Sequence, residues 1–197
     1  MKRIIFSFII YVAVVVGGTV LLVYYVGGTS SIIYSILIFI FASIIDLSLT
    51  YLENKKIADV IKTHGYSSTT TINYLEGKKD KCFFTAGKNG TYALLFNAYV
   101  MIEMYDDAER ILNFYNKDNQ YMFYAEYIYY LAKKENDKLD YVYNKLLNSR
   151  NKKLIVQKEQ IVYIKELVFE NKYNPILEKS NYEYVKKLCA NYKKKNA

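Results

Sequence analysis

Two long apolar runs open the chain and dominate its hydrophobic pattern. The first covers residues 4–26 without a charged residue, and the second covers residues 32–52 with Asp46 as its only charge. About 20 apolar residues suffice to cross the ~30 Å hydrocarbon core of a bilayer. Only the short uncharged segment 27–30 separates the two runs. The pattern therefore predicts a two-span transmembrane helical hairpin over residues 1–52.

The charges that flank the runs predict the orientation of this hairpin. The flanking basic residues are Lys2 and Arg3 before the first run and Lys55 and Lys56 after the second. Since basic flanks stay in the cytoplasm, both termini and residues 53–197 are expected on the cytoplasmic side of a membrane, such as a bacterial cell membrane. A cleaved signal peptide is the alternative. It would have an apolar core of about 7–15 residues and a small-residue cleavage site, which the first run does not match.

Beyond the runs, apolar residues recur at spacings of three and four, which is typical of helices. A membrane-proximal region, residues 53–91, is predicted to contain a helix over 53–63, a polar break and helix cap over 64–71, and a short helix over 72–79. Residues 81–91 include Gly87 and the pair Asn89-Gly90. These residues favour a loop, with a β-hairpin turning at Asn89-Gly90 as the alternative.

Residues 92–197 have the pattern of consecutive helical hairpins. Polar turns are expected at 105–107, 135–137 and 170–172, each between two apolar helical faces. Pro175 is placed at the start of a helix, where its missing N–H group costs little. A last helix over 182–194 would close the domain. The fold class predicted for the chain is all-α, a membrane hairpin followed by a short solenoid of antiparallel helical hairpins.

The first hairpin resembles the tetratricopeptide repeat family, whose period is about 34 residues. Tyr92, Leu95 and Tyr99 stand at the Trp, Leu and Tyr positions of that family, and Ala108, Leu112 and Tyr115 stand at its Ala, Phe and Ala positions. The chain departs from the pattern at Phe96, where the family prefers Gly, and at Tyr115. The resemblance covers residues 92–180. It implies a curved stack of helices whose concave face binds a segment of a protein partner.

Tyrosine is unusually frequent, with 23 residues, and many lie between residues 121 and 143. One face of a helix cannot bury so many, so we expect at least half of them between helices and the others on a surface or in a groove. Tyrosine is favoured at binding surfaces because it offers a large area and one polar group. The candidate partner-binding residues are Tyr99, Tyr121, Tyr124, Tyr127 and Tyr130.

The sequence offers little for catalysis. His64 is the only histidine, and Cys82 and Cys189 are too few for a zinc site or a disulfide framework. The densest acidic cluster, at residues 103–109, is expected to begin a helix, where carboxylates complement the helix dipole; a cation site is the alternative. We therefore expect no catalytic residue, no metal and no cofactor.

Charge and polarity point to lipid and protein partners. Asp46 is an intramembrane carboxylate, and the antiparallel pairing places the Tyr11 hydroxyl level with it; contact with another membrane protein is the alternative. Residues 53–197 contain 25 Lys and Arg and 18 Asp and Glu. The candidate lipid-facing basic residues are Lys55, Lys56, Lys193, Lys194 and Lys195. Nucleic acid is not expected, because the charge is scattered and lacks a binding motif.

Together these patterns predict a non-enzymatic adaptor or scaffold that holds a protein partner at the membrane through its cytoplasmic helical repeats. The alternative is a self-protection (immunity) protein that acts through its membrane spans against a membrane-active toxin. The adaptor would need the helical domain, whereas the protector would need the spans.

Overall fold

The computed structural model describes residues 17, 18, 20, 24, 28–79, 85–115 and 119–196. Over these residues the protein is helical and contains no strand, which confirms the all-α class. The α-helices with defined bounds are α1 (Gly28–His64), α2 (Thr69–Lys79), α3 (Thr85–Met101), α4 (Tyr105–Phe114), α5 (Phe123–Lys133), α6 (Asn136–Asn148), α7 (Ile155–Phe169) and α8 (Glu183–Asn196). Two 3₁₀ turns, Lys152–Leu154 and Pro175–Lys179, flank α7.

The chain divides into two compact units. The first contains residues 1–65 and 77–88, and the second contains residues 66–76 and 89–197. The described part of the first unit consists mainly of α1, and Lys78 forms an ion pair with Glu53 on that helix, at 3.3 Å. Among the helices that the structure describes, none is sufficiently long and apolar to cross a membrane.

The predicted break after residue 64 is confirmed, and its cause is local. Gly65 has φ +84°, a conformation that favours glycine, and its N–H donates to the carbonyl of Ile61 at 2.9 Å. Ser68 then precedes α2, and its Oγ accepts from the backbone N–H of Thr71 at 3.2 Å. A glycine that ends one helix and a serine that caps the next account for the interruption.

The predicted loop over residues 81–91 is wrong where the structure describes it. Residues 85–91 are helical and form the beginning of α3, which continues to Met101. The alternative β-hairpin at Asn89-Gly90 is also wrong. Glycine and asparagine lower helix propensity by only about 1 kcal/mol or less per residue, which the packing of the following apolar residues can offset. Residues 81–84 lie outside the described residues.

Three turns in the second unit share one backbone feature, a non-glycine residue with positive φ. These residues are Glu103 (φ 62°) after α3, Lys134 (φ 60°) after α5 and Asn171 (φ 55°) after α7. After α5, the N–H of Glu135 donates back to the carbonyl of Tyr130 at 2.9 Å, as in a Schellman motif. The third turn, predicted at 170–172, is therefore confirmed. The second was expected at 135–137 but lies at 134–135, and Asn136 already begins α6. The first turn was expected at 105–107 but lies at 102–104, and Tyr105 already begins α4.

Helix α5 is the centre of the second unit. Its ten consecutive residues from Met122 to Leu131 are all buried, including four tyrosines. Helices α6, α7 and α8 pack against it. Helix α3 also reaches it, since the rings of Phe96 and Tyr129 lie 6.0 Å apart. Apart from Glu126, these residues are apolar or aromatic, so they need cover on every side of the helix.

The C-terminal segment returns to the beginning of the domain. The hydroxyl of Tyr182 donates to Oδ1 of Asn97 on α3 at 3.0 Å, across 85 residues of sequence. Lys187 on α8 forms a close ion pair with Glu103 in the first turn. The predicted closing helix over 182–194 is thus confirmed as α8, Glu183–Asn196. It packs against α5 and contacts the first hairpin as well as the last.

We expect removal of one apolar side chain from α5 to destabilise the second unit strongly. Ile128 is fully buried, so Ile128→Ala leaves a cavity and should lower the free energy of unfolding by about 2–5 kcal/mol. Ile155→Ala makes the same change at a residue that is 53% exposed, and should stay within about 0.5 kcal/mol. Urea unfolding of the full chain in nonionic detergent, followed by circular dichroism, measures both. Equal losses in the two variants would contradict the central position of α5.

Candidate partner-binding groove

Four of the five tyrosines that the sequence suggested for partner binding lie in the core. Tyr99, Tyr124, Tyr127 and Tyr130 are each less than 10% exposed, whereas Tyr121 is 52% exposed. The surface placement expected for the four is therefore corrected. For the three on α5, the physical reason is that this helix is covered on all its faces, so tyrosines that one helix face could not bury are buried by several neighbours. The expectation that at least half of the tyrosines between residues 121 and 143 pack between helices is confirmed, because Tyr124, Tyr127, Tyr129 and Tyr130 are buried.

Tyr99 shows how a buried tyrosine can have a structural role. Its hydroxyl donates to Oε1 of Glu76 on α2 at 2.6 Å, and Arg110 on α4 donates to the same oxygen at 3.1 Å. Arg110 also bonds Asp107 at 3.0 Å. The carboxylate of Glu76 thus receives two donors from two different helices. This arrangement ties α2, α3 and α4 together without leaving the tyrosine hydroxyl available to a partner.

The other three buried tyrosines are held by aromatic contacts. Tyr124 meets Tyr182 edge to face, with ring centroids 5.2 Å apart, and Tyr127 lies 6.1 Å from Tyr143. Tyr130 contacts Tyr129 at 5.3 Å. Pairs of this kind stabilise by about 0.5–1.5 kcal/mol beyond the area that they bury. These tyrosines explain why the core holds together and not what it binds.

The membrane-related candidates are placed only in part. Tyr11 and the side chain of Asp46 lie outside the described residues, although the backbone of Asp46 belongs to α1. Lys55 and Lys56 are exposed on α1, and Lys194 and Lys195 are exposed at the end of α8. Lys193 is exposed too, and its ammonium lies 2.8 Å from Glu178. Their contact with lipid stays a prediction.

The acidic cluster occupies the place that helix electrostatics favours. Asp106 and Asp107 lie in the first turn of α4, as expected, while Glu103 lies in the turn before it. Asp107 pairs with Arg110, and Glu109 lies 3.4 Å from Lys133. Within the described residues, no group of three or more His, Cys, Asp or Glu side chains is arranged to hold a metal ion.

A shallow groove of about 510 Å³ lies on the surface of the second unit, where α6 runs beside the beginning of α5. Its lining comes from the turn before α5, from α6 and from the loop that follows. The lining residues are Gln120, Phe123, Tyr141, Asn144, Lys145, Asn148, Ser149 and Arg150. Two aromatic rings, two cations and three side-chain amides therefore share one concave surface. The exposed Tyr121 belongs to the same turn as Gln120.

Aromatic rings position one of the two cations. The ammonium of Lys145 lies 4.5 Å from the ring centroid of Tyr141 and 5.9 Å from that of Phe123. Phe123 is almost fully buried and anchors the floor, while Tyr141 is 56% exposed. An ammonium above an aromatic face is attracted by the ring quadrupole, by about 0.5–1 kcal/mol at exposed sites. The groove thus presents a positive charge at a fixed place.

The loop that ends the groove is tied to the helices on both sides. Lys158 on α7 donates to the carbonyls of Leu147, at 2.9 Å, and of Ser149. The hydroxyl of Ser149 donates to Oε1 of Gln120 at 3.1 Å. The side chain of Asn151 accepts from the N–H of Lys153 at 3.0 Å and so caps the 3₁₀ turn. These bonds hold Arg150 between two anchored residues.

The sequence contains a signal for this groove that motif searching misses. The 18 residues from Tyr141 to Lys158 include Lys145, Arg150, Lys152, Lys153 and Lys158, and no Asp or Glu. The net charge of the whole chain, +8, is thus concentrated partly in one segment. The pattern lacks a fixed spacing, so charge alone could indicate the surface but not its shape. The shape follows from packing α6 against α5.

Comparison of the chain with protein-family models, with curated proteins and with solved structures finds no match. The function must therefore be inferred from the residues and their geometry.

The buried tyrosines make the stability of the protein sensitive to alkali. Burial is the largest cause that raises the pKa of Tyr99, Tyr124 and Tyr127, and it raises the pKa of Tyr130 to about 12. An unfolded tyrosine has a pKa of about 10. Because the folded pKa is the higher one, the stabilisation is complete below pH 10 and is lost as the pH rises through the folded pKa.

We therefore expect tyrosine ionisation and unfolding to coincide above about pH 10. Absorbance at 295 nm follows the phenolates, and circular dichroism at 222 nm follows the helices during the same titration. A large part of the absorbance change should accompany the loss of helix. Complete ionisation of all 23 tyrosines in a protein that is still helical would contradict the buried placement.

Proposed function

We propose that this chain is a membrane-anchored adaptor without enzymatic activity. Its two apolar runs, 4–26 and 32–52, would form an antiparallel hairpin in the bilayer, with residues 53–197 in the cytoplasm. The helical hairpins of the second unit, which resemble a short repeat stack, would hold a protein partner beside the membrane. The single observation that carries the binding role is the aromatic and basic groove on α6.

The anchor is supported by the sequence of the two runs and by the character of α1. The described large apolar side chains of α1 that are exposed are Ile36, Leu37, Ile40, Phe41, Ile44, Leu49, Tyr51 and Leu52. Apolar surface exposed to water costs about 25 cal/mol per Å². A contiguous set of this kind usually marks contact with a protein or a membrane. After Leu52 the helix becomes charged, beginning with Glu53 and including Lys55 and Lys56.

The binding role is supported by the composition of the groove. Aromatic residues and arginine are enriched at protein interfaces, and rigid aromatic anchors often dominate the binding energy. Tyr141 and Tyr121 provide exposed rings, and Arg150 provides a guanidinium at the end of the groove. The buried tyrosines of α5 keep this surface on a rigid support, because their burial fixes the helix that carries Phe123.

The topology can be tested by labelling single cysteines in whole cells. Ser30→Cys and Lys194→Cys are made separately in a chain whose Cys82 and Cys189 have been replaced by serine. We expect a membrane-impermeant maleimide to label the first variant and to leave the second unlabelled until the cells are lysed, because basic flanks stay in the cytoplasm. Labelling of the Lys194→Cys variant in intact cells, with none of the Ser30→Cys variant, would contradict the proposed orientation.

The binding role can be tested by photocrosslinking in intact membranes. A photoreactive aromatic amino acid replaces Tyr141 in the groove or, as the control, Phe169, which is 57% exposed on α7 and outside the groove. We expect a discrete protein adduct from position 141 and none from position 169. The adduct should persist when the two apolar runs are exchanged for an unrelated two-span anchor.

Two results would count against the adaptor. Absence of any adduct at position 141, with normal expression and membrane insertion, would remove the groove as a binding site. An adduct that disappears when only the anchor is exchanged would place the function in the spans, as the immunity alternative requires.

A further inference from the structure

We propose that the groove on α6 recognises an acidic, extended segment of its protein partner. This inference rests on the proposed adaptor function and adds the chemistry of the partner. The segment would lie along α6, with a carboxylate on Arg150 and another near Lys152 and Lys153. Its backbone would meet the side-chain amides of the groove.

Charge is the first argument. Arg150 is exposed at the end of the groove, and no described residue of the lining is a carboxylate. Beside the groove, Lys152 and Lys153 are exposed in the 3₁₀ turn. Asp140, which precedes Tyr141 in the sequence, has its carboxylate 3.6 Å from the ammonium of Lys165. The electrostatic complement of this surface is a partner with several carboxylates, which would also be steered toward it during encounter.

Arginine gives the surface a preference among anions. Its planar guanidinium matches the two oxygens of a carboxylate, and such a pair is stronger than a bond between neutral groups. Arg150 is exposed and is held between Ser149 and Asn151, both of which take part in hydrogen bonds of the loop. The backbone that carries the guanidinium is therefore already ordered before a partner binds.

The amides indicate that the bound segment is extended. Asn144 and Asn148 lie one helical turn apart on α6, about 6 Å along its axis at 1.5 Å per residue. Alternate residues of an extended chain are separated by about 6.6 Å. An asparagine side chain offers the same donor and acceptor as a peptide group. Two amides at this spacing suit the backbone of an extended peptide better than a flat lipid surface or a helical ligand.

Aromatic rings complete the fit. Tyr141 projects from the same face of α6 as Lys145 and stays 56% exposed. A tyrosine offers a large contact area at a low cost in conformational entropy. A partner segment that places an apolar residue beside its acids would cover this ring and the edge of Phe123.

Fluorescence anisotropy of the full chain in an uncharged detergent tests the proposal. The probe is a fluorescein-labelled ten-residue peptide of alternating glutamate and alanine, and the matched probe alternates lysine and alanine. We expect only the acidic probe to bind. Arg150→Gln should weaken it about 3-fold, and the double variant Arg150→Gln/Lys152→Gln about 10-fold. Raising the salt concentration from about 0.05 to 0.3 M should also weaken it, since the charges are exposed.

Lys179→Gln is the control, because it makes the same change of net charge at an exposed lysine outside the groove. Circular dichroism establishes that each variant is folded. Equal losses from Lys179→Gln and Arg150→Gln, unchanged binding in the double variant, or equal binding of the lysine probe would overturn the proposal. So would a double variant that loses binding to vesicles containing phosphatidylglycerol while it binds the acidic peptide normally.

The two proposals fail in different ways. If the crosslinked adduct at position 141 survives in the double variant while the acidic probe never binds, the adaptor stands and the acidic recognition is wrong. If the acidic probe binds in the groove but no adduct forms at position 141 in membranes, the adaptor function fails.

Discussion

The burial of α5 on every side is the constraint on which the second unit depends. A helix between two neighbours can leave one face in water, but Met122 to Leu131 leave none. This residue set requires cover from α3, α6, α7 and the C-terminal segment together. The requirement explains why α8 does not simply extend the row of hairpins. The C-terminal segment instead returns to the first hairpin, where the Tyr182 hydroxyl donates to Asn97 and Lys187 forms an ion pair with Glu103.

The sequence was sufficient for the features that short-range physics controls. The break at Gly65 and Ser68, the turns near Lys134 and Asn171, and the closing helix all carry recognisable local signals. It misplaced the first turn because Asp106 and Asp107 suggest a polar turn, whereas they lie in the first turn of α4, where carboxylates complement the helix dipole. It also assigned a loop where α3 begins, since Asn89 and Gly90 are common in turns.

The candidate site was harder to predict than the fold. Counting tyrosines suggested a binding surface, but whether a ring is exposed depends on how many elements surround its helix. Four of the five proposed rings are therefore core residues, and Tyr121 alone of that set stays exposed. The groove depends on how α5 and α6 pack together, which brings Phe123 and Tyr141 to one surface. The concentration of lysine and arginine after residue 141 was visible, but not the concavity into which it leads.

The division of labour among the aromatic residues follows from this arrangement. Rings on α5 fill the interior, and they contact rings from other parts of the same domain, as with Tyr124 and Tyr182. Tyr121, in the turn before α5, and Tyr141, on α6, stay accessible. Rigid packing in the core beneath the groove and adaptable polar groups on its surface favour recognition, because less conformational freedom is lost when a partner binds.

The return of the C-terminal segment has a consequence for biosynthesis. Chains are made from the N-terminus at about 5–20 residues per second, so about 3–13 s separate the synthesis of Phe123 from that of Cys189. During that interval α5 has emerged without its last cover, and its tyrosine-rich surface is exposed. The domain can reach its final packing only after translation is nearly complete. A premature stop before Tyr182 would therefore leave a nascent chain that exposes its own interior, a substrate for quality-control proteases rather than a shortened but working protein.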